Sequence, residues 1–292
     1  MLGINTNAPS LGAQNNLSRS AGSLETSIAR LSSGLRVNSA KDDAAGLAIA
    51  ERMTAQIRGF DVAARNANDG ISLLQVADGA LGKISDNLQR MRELGVQAKN
   101  GTLNDTDRLN LNREFTELAS EVARVATGTT FNDNNIFEST SKTVDLQIGS
   151  GNDTTDTLSV NLTDDGLAAG NDLQTVLGAT ATASAATDIV AAFGGVDTVA
   201  NATQAITDID NAIDDITNLR ATTGAGLSRL EQVVSSLETT SSNLSSARGR
   251  IMDADFAKET ANLTRSQILQ QAGTAMLAQA NQLPNNVLSL LR

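Results

Sequence analysis

The stretch that decides the fold spans residues 53–98 and reads MTAQIRGFDVAARNANDGISLLQVADGALGKISDNLQRMRELGVQA. Apolar side chains recur in it every seven positions, in a row formed by Met53, Phe60, Ala67, Leu74, Leu81 and Leu88. A second row lies three or four positions further on and comprises Ile57, Ala64, Ile71, Ala77, Ile84, Met91 and Ala98. Two such rows without an intervening proline are typical of long helices in a coiled-coil-like bundle. A helix over about residues 44–99 would be ~80 Å long, so the pattern predicts a rod.

Rows with the same spacing extend the helical pattern toward both chain ends. Near the N-terminus they are Leu17, Leu24 and Leu31 with Ala21, Ile28 and Leu35. Toward the C-terminus they are Ile209, Ile216, Thr223, Leu230, Leu237, Leu244 and Ile251, followed by Leu269, Met276, Leu283 and Leu290. Because the terminal helices share one period, we expect them to pack on each other.

Capping and breaking residues predict where these helices end. Gly101 suits the C-cap of the helix that starts near residue 44, and the NDTD stretch at 104–107 offers N-cap residues for the next one. That second helix should end at Gly128 and form an antiparallel helical hairpin with the first. The TTGAG stretch at 222–226 could interrupt a later helix, and Pro284 should kink the last helix or start a turn.

The middle of the chain has a different pattern. Residues 144–162, VDLQIGSGNDTTDTLSVNL, alternate apolar and polar side chains around a turn, which predicts a β-hairpin. The predicted fold class is therefore mainly α, a long coiled-coil-like helical rod from both chain ends with a small β-hairpin region in the middle. We expect a terminal helical inner-core domain (1–43 with 253–292), a helical rod domain (44–138 with 203–252), and an acidic variable middle with the hairpin (139–202).

Composition narrows the possible functions. The 292 residues include no His, Cys, Trp or Tyr, which excludes the usual zinc sites, haem ligation by His or Cys, and nucleophiles activated by His. We therefore expect no enzyme activity, no catalytic residue, no metal and no cofactor. Of the net charge of −11, the segment 131–219 alone contributes −13, so the helical ends are nearly neutral. Without a basic patch or an aromatic platform, nucleic-acid binding is not expected.

The apolar tail QAGTAMLAQANQLPNNVLSLLR (271–292) has three interpretations. It is a core helix buried on the N-terminal helix, a membrane-surface helix, or a surface that packs against other copies of the chain. A membrane-surface helix favours Lys or Arg on its polar face, whereas this one carries mainly amides. A single helix pair also has too little core to be stable alone. We favour self-assembly that includes the intramolecular pairing, through Leu17, Leu24, Ile28, Leu31, Leu35, Leu269, Met276, Leu283, Val287 and Leu290.

Five strings of the sequence resemble bacterial flagellin closely. They are ARLSSGLRVNSAKDDAAGLAIAERM, RNANDGISLLQVADGAL, LQRMRELGVQA, ARGRIMDADFAKET and QILQQAGTAMLAQANQLPNNVLSLL. The resemblance covers roughly residues 1–138 and 203–292. It implies a structural subunit that self-assembles into the flagellar filament for motility, as a homo-oligomer with its terminal helices inside. It also implies export without a cleaved signal, an extracellular location, no membrane insertion, and filament cap, junction and export chaperone partners.

The resemblance further implies recognition by the vertebrate Toll-like receptor 5. Flagellins seen by that receptor carry a similar stretch on the first long helix, and here it reads QRMRELGVQ. The matching positions are Gln89, Arg90, Leu94 and Gln97, with Glu114 on the next helix. Arg90 beside Glu114 would then provide a buried polar anchor.

Three other functional classes remain as alternatives. A hook–filament junction protein would share the terminal helices, a secreted helical effector or adhesin would act as a monomer, and a hydrolase could occupy the middle segment. Paired acids such as Asp42–Asp43 and Asp214–Asp215 do not favour an enzyme, because adjacent carboxylates on a helix point in different directions.

Overall fold

The computed structural model describes residues 7–137, 143–161 and 193–290, without the side chains of Asn161 and of residues 283–290. These ranges contain five α-helices, namely α1 (Ala8–Ser33), α2 (Ala44–Ala98), α3 (Asp105–Gly128), α4 (Val199–Met252) and α5 (Phe256–Leu290). The strands are β1 (Thr130–Phe131), β2 (Asn134–Asn135), β3 (Thr143–Gln147) and β4 (Thr157–Asn161). The predicted mainly α class with a small β-hairpin is confirmed. Most of the predicted variable middle lies outside the described residues.

The chain divides into two compact units. One comprises Met1–Ile57 with Ser242–Arg292, and the other comprises Arg58–Ser241. We call the first the terminal unit and the second the central unit. The three-part domain division expected from sequence, with limits at 43/44 and 252/253, stays a prediction, although those limits coincide with the breaks that separate α1 from α2 and α4 from α5.

The core of the central unit is built from the seven-residue rows. Most of the predicted positions on α2 and α4 are fully or almost fully buried, whereas Phe60, Ala64 and Ile71 are half-buried. The buried positions are Ala67, Leu74, Ala77, Leu81, Ile84, Leu88, Met91, Ala98, Ile209, Ile216, Thr223 and Leu230. Phe115 and Val122 of α3 complete this core. Burial of so many apolar side chains is the main force that holds the three helices together. The periodicity therefore predicted both the helices and the faces that they bury.

The β-hairpin packs against glycines of the helices in the central unit. β3 and β4 are antiparallel, with Val144 opposite Val160 and Leu146 opposite Leu158. A Cβ on Gly70 of α2 would collide with the Leu146 side chain, and one on Gly226 of α4 would lie 3.7 Å from Val160 Cγ1. Gly70 therefore lets β3 approach α2 closely, whereas Val160 is at an ordinary contact distance from Gly226. The expected interruption at residues 222–226 is wrong, because α4 continues through them.

Two further helix-end predictions need correction. α2 ends at Ala98 rather than at a C-cap formed by Gly101, whose φ is not positive. α5 extends through Pro284 to Leu290, so the expected turn does not begin there. In contrast, Asn104 and Asp107 form the predicted N-cap of α3, with a reciprocal capping box.

A buried arginine stabilises the C-terminal end of α2. Arg108 of α3 donates from Nε to the Ala98 carbonyl at 3.1 Å and from Nη2 to the Asn100 carbonyl at 3.2 Å. The last carbonyls of a helix have no partner within the helix, so a side chain that reaches them serves as a cap. No local sequence pattern indicates this bond, since Arg108 lies on α3 and its acceptors lie in another segment.

We expect Arg108→Met to lower the free energy of unfolding by about 2 kcal/mol, because it leaves the carbonyl of the buried Ala98 without its donor. Urea denaturation of the monomer, followed by circular dichroism, measures this change. Arg113→Met is the control, since Arg113 is exposed and donates only to Asn110 within α3. Equal stability of the two variants would contradict the capping role.

Candidate functional site

The candidate site is the pair of helices formed by the two ends of the chain. Asn7 Nδ2 donates to the Ala280 carbonyl at 2.9 Å, and Ser10 Oγ donates to Asn281 Oδ1 at 2.8 Å. At the other end of α1, Arg30 lies 4.0 Å from Glu259. Low residue numbers thus meet high ones, and α1 packs antiparallel on α5. The predicted pairing of the terminal helices is confirmed.

The seam between these helices is formed largely by small and polar residues. Along α1 the half-buried or buried positions follow a seven-residue spacing at Ser10, Leu17, Leu24 and Leu31, with Ala13, Ser20 and Ser27 between them. Along α5 they are Glu259, Leu263, Ser266, Gln270, Gly273, Leu277 and Ala280. A Cβ on Gly273 would lie 3.3 Å from Leu17 Cδ1, so the glycine makes room for that leucine. Sequence reasoning followed large apolar residues and therefore missed this side of α5.

The apolar row that the sequence assigned to α5 faces away from the seam. Leu269 is 51% exposed and Met276 is 63% exposed, and Ile28 of α1 is 51% exposed. Leu17, Leu24, Leu31 and Leu35 are half-buried. The side chains of Leu283, Val287 and Leu290 lie outside the described part of the chain. The terminal pair therefore carries large apolar side chains that its own two helices leave uncovered.

A polar groove of about 350 Å³ lies along one end of the seam. It is lined by Ser23, Thr26, Ser27, Arg30, Glu259, Asn262, Arg265, Ser266 and Leu269. Within the described residues, Arg30 Nε is buried and has no hydrogen-bond acceptor. A buried donor without a partner is costly, so the groove is suited to a group that offers an oxygen. The sequence offered no signal for it beyond a single Arg in the last turn of α1.

The connection between α1 and α2 is fixed against the break between α4 and α5. Gly34 ends α1 with a left-handed backbone, φ 71°, which favours glycine. Its carbonyl accepts from Ala254 N at 2.9 Å, and Leu35 pairs with Asp253 in an isolated bridge. Further along, Asp42 Oδ2 accepts from the Ser39 hydroxyl and from two backbone N–H groups. These bonds, led by the Ser39 hydroxyl, hold the pKa of Asp42 below its ordinary value.

The residues that match the receptor-binding motif lie on α2 and α3 of the central unit. Arg90 Nη2 donates to Glu114 Oε1 at 2.8 Å, and its Nη1 donates to Glu93 Oε2 at 2.8 Å. These two bonds raise the pKa of Arg90, and the bond to Glu93 contributes most. The structure thus brings together two motif residues that are 24 positions apart. The pair is exposed rather than buried.

The remaining motif residues have different environments. Gln89 and Gln97 are exposed, whereas Leu94 is only 1% exposed and belongs to the core of the central unit. Leu94 therefore supports the helix that carries the exposed motif residues and adds nothing to their surface.

The sequence matches two family descriptions that together cover most of the chain. Residues 4–142 match "Bacterial flagellin N-terminal helical region" and residues 206–291 match "Bacterial flagellin C-terminal helical region". The chain belongs to the bacterial flagellin family. A flagellin from Halalkalibacterium halodurans is 43% identical over 99% of both chains, and a flagellin from Xenorhabdus nematophila is 42% identical over 99% of both.

Flagellins are structural proteins, and the chain is a subunit of the flagellar filament that assembles with copies of itself. A solved structure described as a flagellar hook-associated protein from Vibrio parahaemolyticus has a TM-score of 0.55 and covers 73% of this chain and 100% of its own. At 12% identity that likeness shows a shared fold only. The full-length flagellin relatives thus favour the filament subunit over the junction protein.

No described helix is both long and apolar enough to cross a membrane. In the same ranges, no three acidic side chains are grouped as metal ligands.

We expect the Asp42 contacts to stabilise the terminal unit at neutral pH and not in acid. The fold favours the charged carboxylate, so its contribution is present above the ordinary pKa of an aspartate and is lost as the pH falls through the lower folded value. Asp42→Ala should therefore lower the melting temperature at pH 7, and the difference from the parent chain should shrink steadily below pH ~4. Glu25→Ala, which removes an exposed carboxylate from α1, is the control. A difference that does not change with pH would contradict the charge-dependent role.

Proposed function

We propose that the outward apolar faces of α1 and α5 are the surfaces through which neighbouring subunits pack in the filament. The observation that carries this proposal is the exposure of Ile28, Leu269 and Met276 beside a seam made of other residues. Contact with other copies would remove these side chains from water, which is favourable in proportion to the apolar area covered.

The chemistry of α5 supports the same proposal. Between Phe256 and Leu290 the only charged residues are Lys258, Glu259 and Arg265, all in the first part of the helix. The rest of α5 can be covered without desolvation of a charge, which is the main cost of burying polar surface. By their sequence positions, Leu283, Val287 and Leu290 continue the row of Leu269 and Met276, and we include them in the proposed contact.

We further infer that a neighbouring subunit supplies an oxygen acceptor to the groove that holds Arg30 Nε. The groove also contains Arg265 and the carboxylate of Glu259. Amide, hydroxyl and backbone carbonyl groups would all satisfy the buried donor, and α1 and α5 of another copy are rich in the first two.

Family membership supports the wider setting of this assembly. We propose that the chain is exported without signal cleavage, is held by an export chaperone before assembly, and ends in the extracellular filament next to cap and junction proteins. In that setting the terminal helices of residues 1–43 and 253–292 form the inner-core domain.

Met276 and Leu277 are adjacent in α5 but differ in exposure, so together they test the packing surface. Met276→Gln should raise the protein concentration needed for seeded polymerisation and leave the helix content of the monomer unchanged, because Met276 is exposed. Leu277→Ala should instead weaken the pairing of α1 and α5, because Leu277 lies in the seam. Filament yield by sedimentation and helix content by circular dichroism separate the two effects.

A truncated chain without residues 253–292 lacks the whole of α5, and we expect it to form no filaments. If Met276→Gln polymerises at the concentration of the parent chain, the outward face is not the contact. If the truncated chain still forms filaments, the packing of the terminal helices is not required at all.

We also propose recognition by Toll-like receptor 5 through the exposed motif residues Gln89, Arg90, Gln97 and Glu114. The specific observation in favour is the ion pair between Arg90 and Glu114, which joins two helices at the surface. Exposed ion pairs contribute little to folding, so their side chains are available to a partner at small cost. An interface that covers the pair would increase its electrostatic contribution.

The double variant Arg90→Ala with Glu114→Ala should lower receptor signalling in a reporter cell assay without loss of filament formation. The matched control is Arg92→Ala with Asp210→Ala, which removes a similarly exposed pair that links α2 to α4. Equal signalling by the two double variants would reject the motif residues as the contact.

A further inference from the structure

The turn between α2 and α3 contains the one Asn-Gly pair of the sequence, Asn100–Gly101. Both residues are exposed and lie outside the helices. The Asn100 carbonyl accepts from Leu103 N at 3.3 Å and from Arg108 Nη2 at 3.2 Å. The backbone of Asn100 is therefore held in a defined turn, and its side chain is open to water.

The side chain of Asn100 is folded back over the following peptide. Thr102 N donates to Asn100 Oδ1 at 3.2 Å, which is the bond of an Asx turn. This bond places the side-chain amide beside the Gly101 peptide and draws electron density from the amide carbon. Both effects favour attack on that carbon by the Gly101 nitrogen, because a held geometry replaces a search through many conformations.

The attacking nitrogen is accessible in the folded chain. No other described residue accepts a hydrogen bond from Gly101 N. A Cβ built on Gly101 would meet no atom within 4 Å, so the space around the residue is open. Without a side chain, Gly101 also has the backbone freedom that ring closure needs.

We propose that Asn100 is a site of spontaneous deamidation in the folded protein. Water or hydroxide removes the proton of Gly101 N, the nitrogen forms a bond to Asn100 Cγ, and the side-chain nitrogen leaves as ammonia. The resulting five-membered succinimide is then opened by water at one of its two carbonyls. The products are aspartate and isoaspartate at position 100, and no oxidant, reductant or enzyme takes part.

Both products disturb the end of α2. A new carboxylate lies near the negative end of the helix dipole, which is unfavourable, although the Arg108 guanidinium nearby offsets part of that cost. Isoaspartate also adds a methylene to the main chain and displaces the carbonyl that Arg108 and Leu103 contact. The modified chain should therefore unfold at a lower urea concentration than the unmodified chain.

The test follows the folded full-length chain during incubation at mildly alkaline pH, with peptide mass spectrometry and enzymatic detection of isoaspartate. We expect the peptide with residue 100 to gain the mass of an amide-to-acid conversion and to release ammonia. Asn110, exposed in α3, is the internal control and should stay unmodified, since a helical backbone keeps its amide from the next nitrogen.

Gly101→Ala is the matched variant, because the open space and the ordinary φ of Gly101 accept a methyl group. It should slow the conversion by about tenfold or more, since a Cβ restricts the backbone angles that ring closure requires. Conversion of Gly101→Ala at the parent rate would overturn the proposal. So would reaction of Asn100 only after unfolding in urea, with none in the folded chain.

Discussion

The structure depends on the antiparallel contact between two chain ends that are more than two hundred residues apart. That contact uses serines, a glycine and an alanine next to a few leucines, as in Ser27, Ser266 and Gly273. Small residues let two helices approach closely but bury little apolar area. The seam therefore sets the register of α1 against α5 but contributes little to their stability. The hydrogen bonds of Asn7 and Ser10 at one end and the Arg30–Glu259 pair at the other fix that register. Large apolar side chains remain on the outside, where only another molecule can cover them.

The central unit differs from the terminal unit in how it buries its apolar rows. Its seven-residue rows carry leucine, isoleucine and methionine, and most of them are completely buried between α2, α3 and α4. The β-hairpin closes part of this core because Gly70 leaves space for Leu146, and Val160 packs beside Gly226. This unit therefore buries most of the large side chains of these rows within one chain, although Val62, Val96 and Leu109 stay exposed on its surface. The same heptad spacing thus produces a buried core where three helices and a hairpin meet, and it leaves large apolar side chains exposed where only α1 and α5 pair.

The sequence predicted what depends on periodicity and missed what depends on contacts between distant segments. The rows of α2 and α4, the N-cap at Asn104 and the hairpin strands could all be derived from local patterns. The Arg108 cap could not, because its acceptors are carbonyls in the preceding helix and turn. Nor could the seam side of α5, because a search for large apolar residues selects Leu269 and Met276 and passes over Ser266 and Gly273. The glycines at 224 and 226 were interpreted as weak points, yet α4 continues through both of them. Val160 of the hairpin, which packs beside Gly226, lies more than sixty residues earlier in the chain.

Charged side chains lie mainly on surfaces that stay in water, and they are absent from the second half of α5, which we propose other copies cover. In the central unit, acids of α2 and α4 are paired across helices, Asp78 with Arg220 and Asp210 with Arg92, and all four side chains stay partly exposed. Asp215 of α4 shows the opposite case, because partial burial and the neighbouring carboxylate of Asp214 raise its pKa. A charged carboxylate is thus favourable on a hydrated surface and unfavourable where burial removes its water. The second half of α5 carries no charged side chain before Leu290, which is the composition that a helix needs if other copies surround it. The distribution of charge along the chain therefore supports the same assignment of faces as the exposed apolar rows, from independent physical grounds.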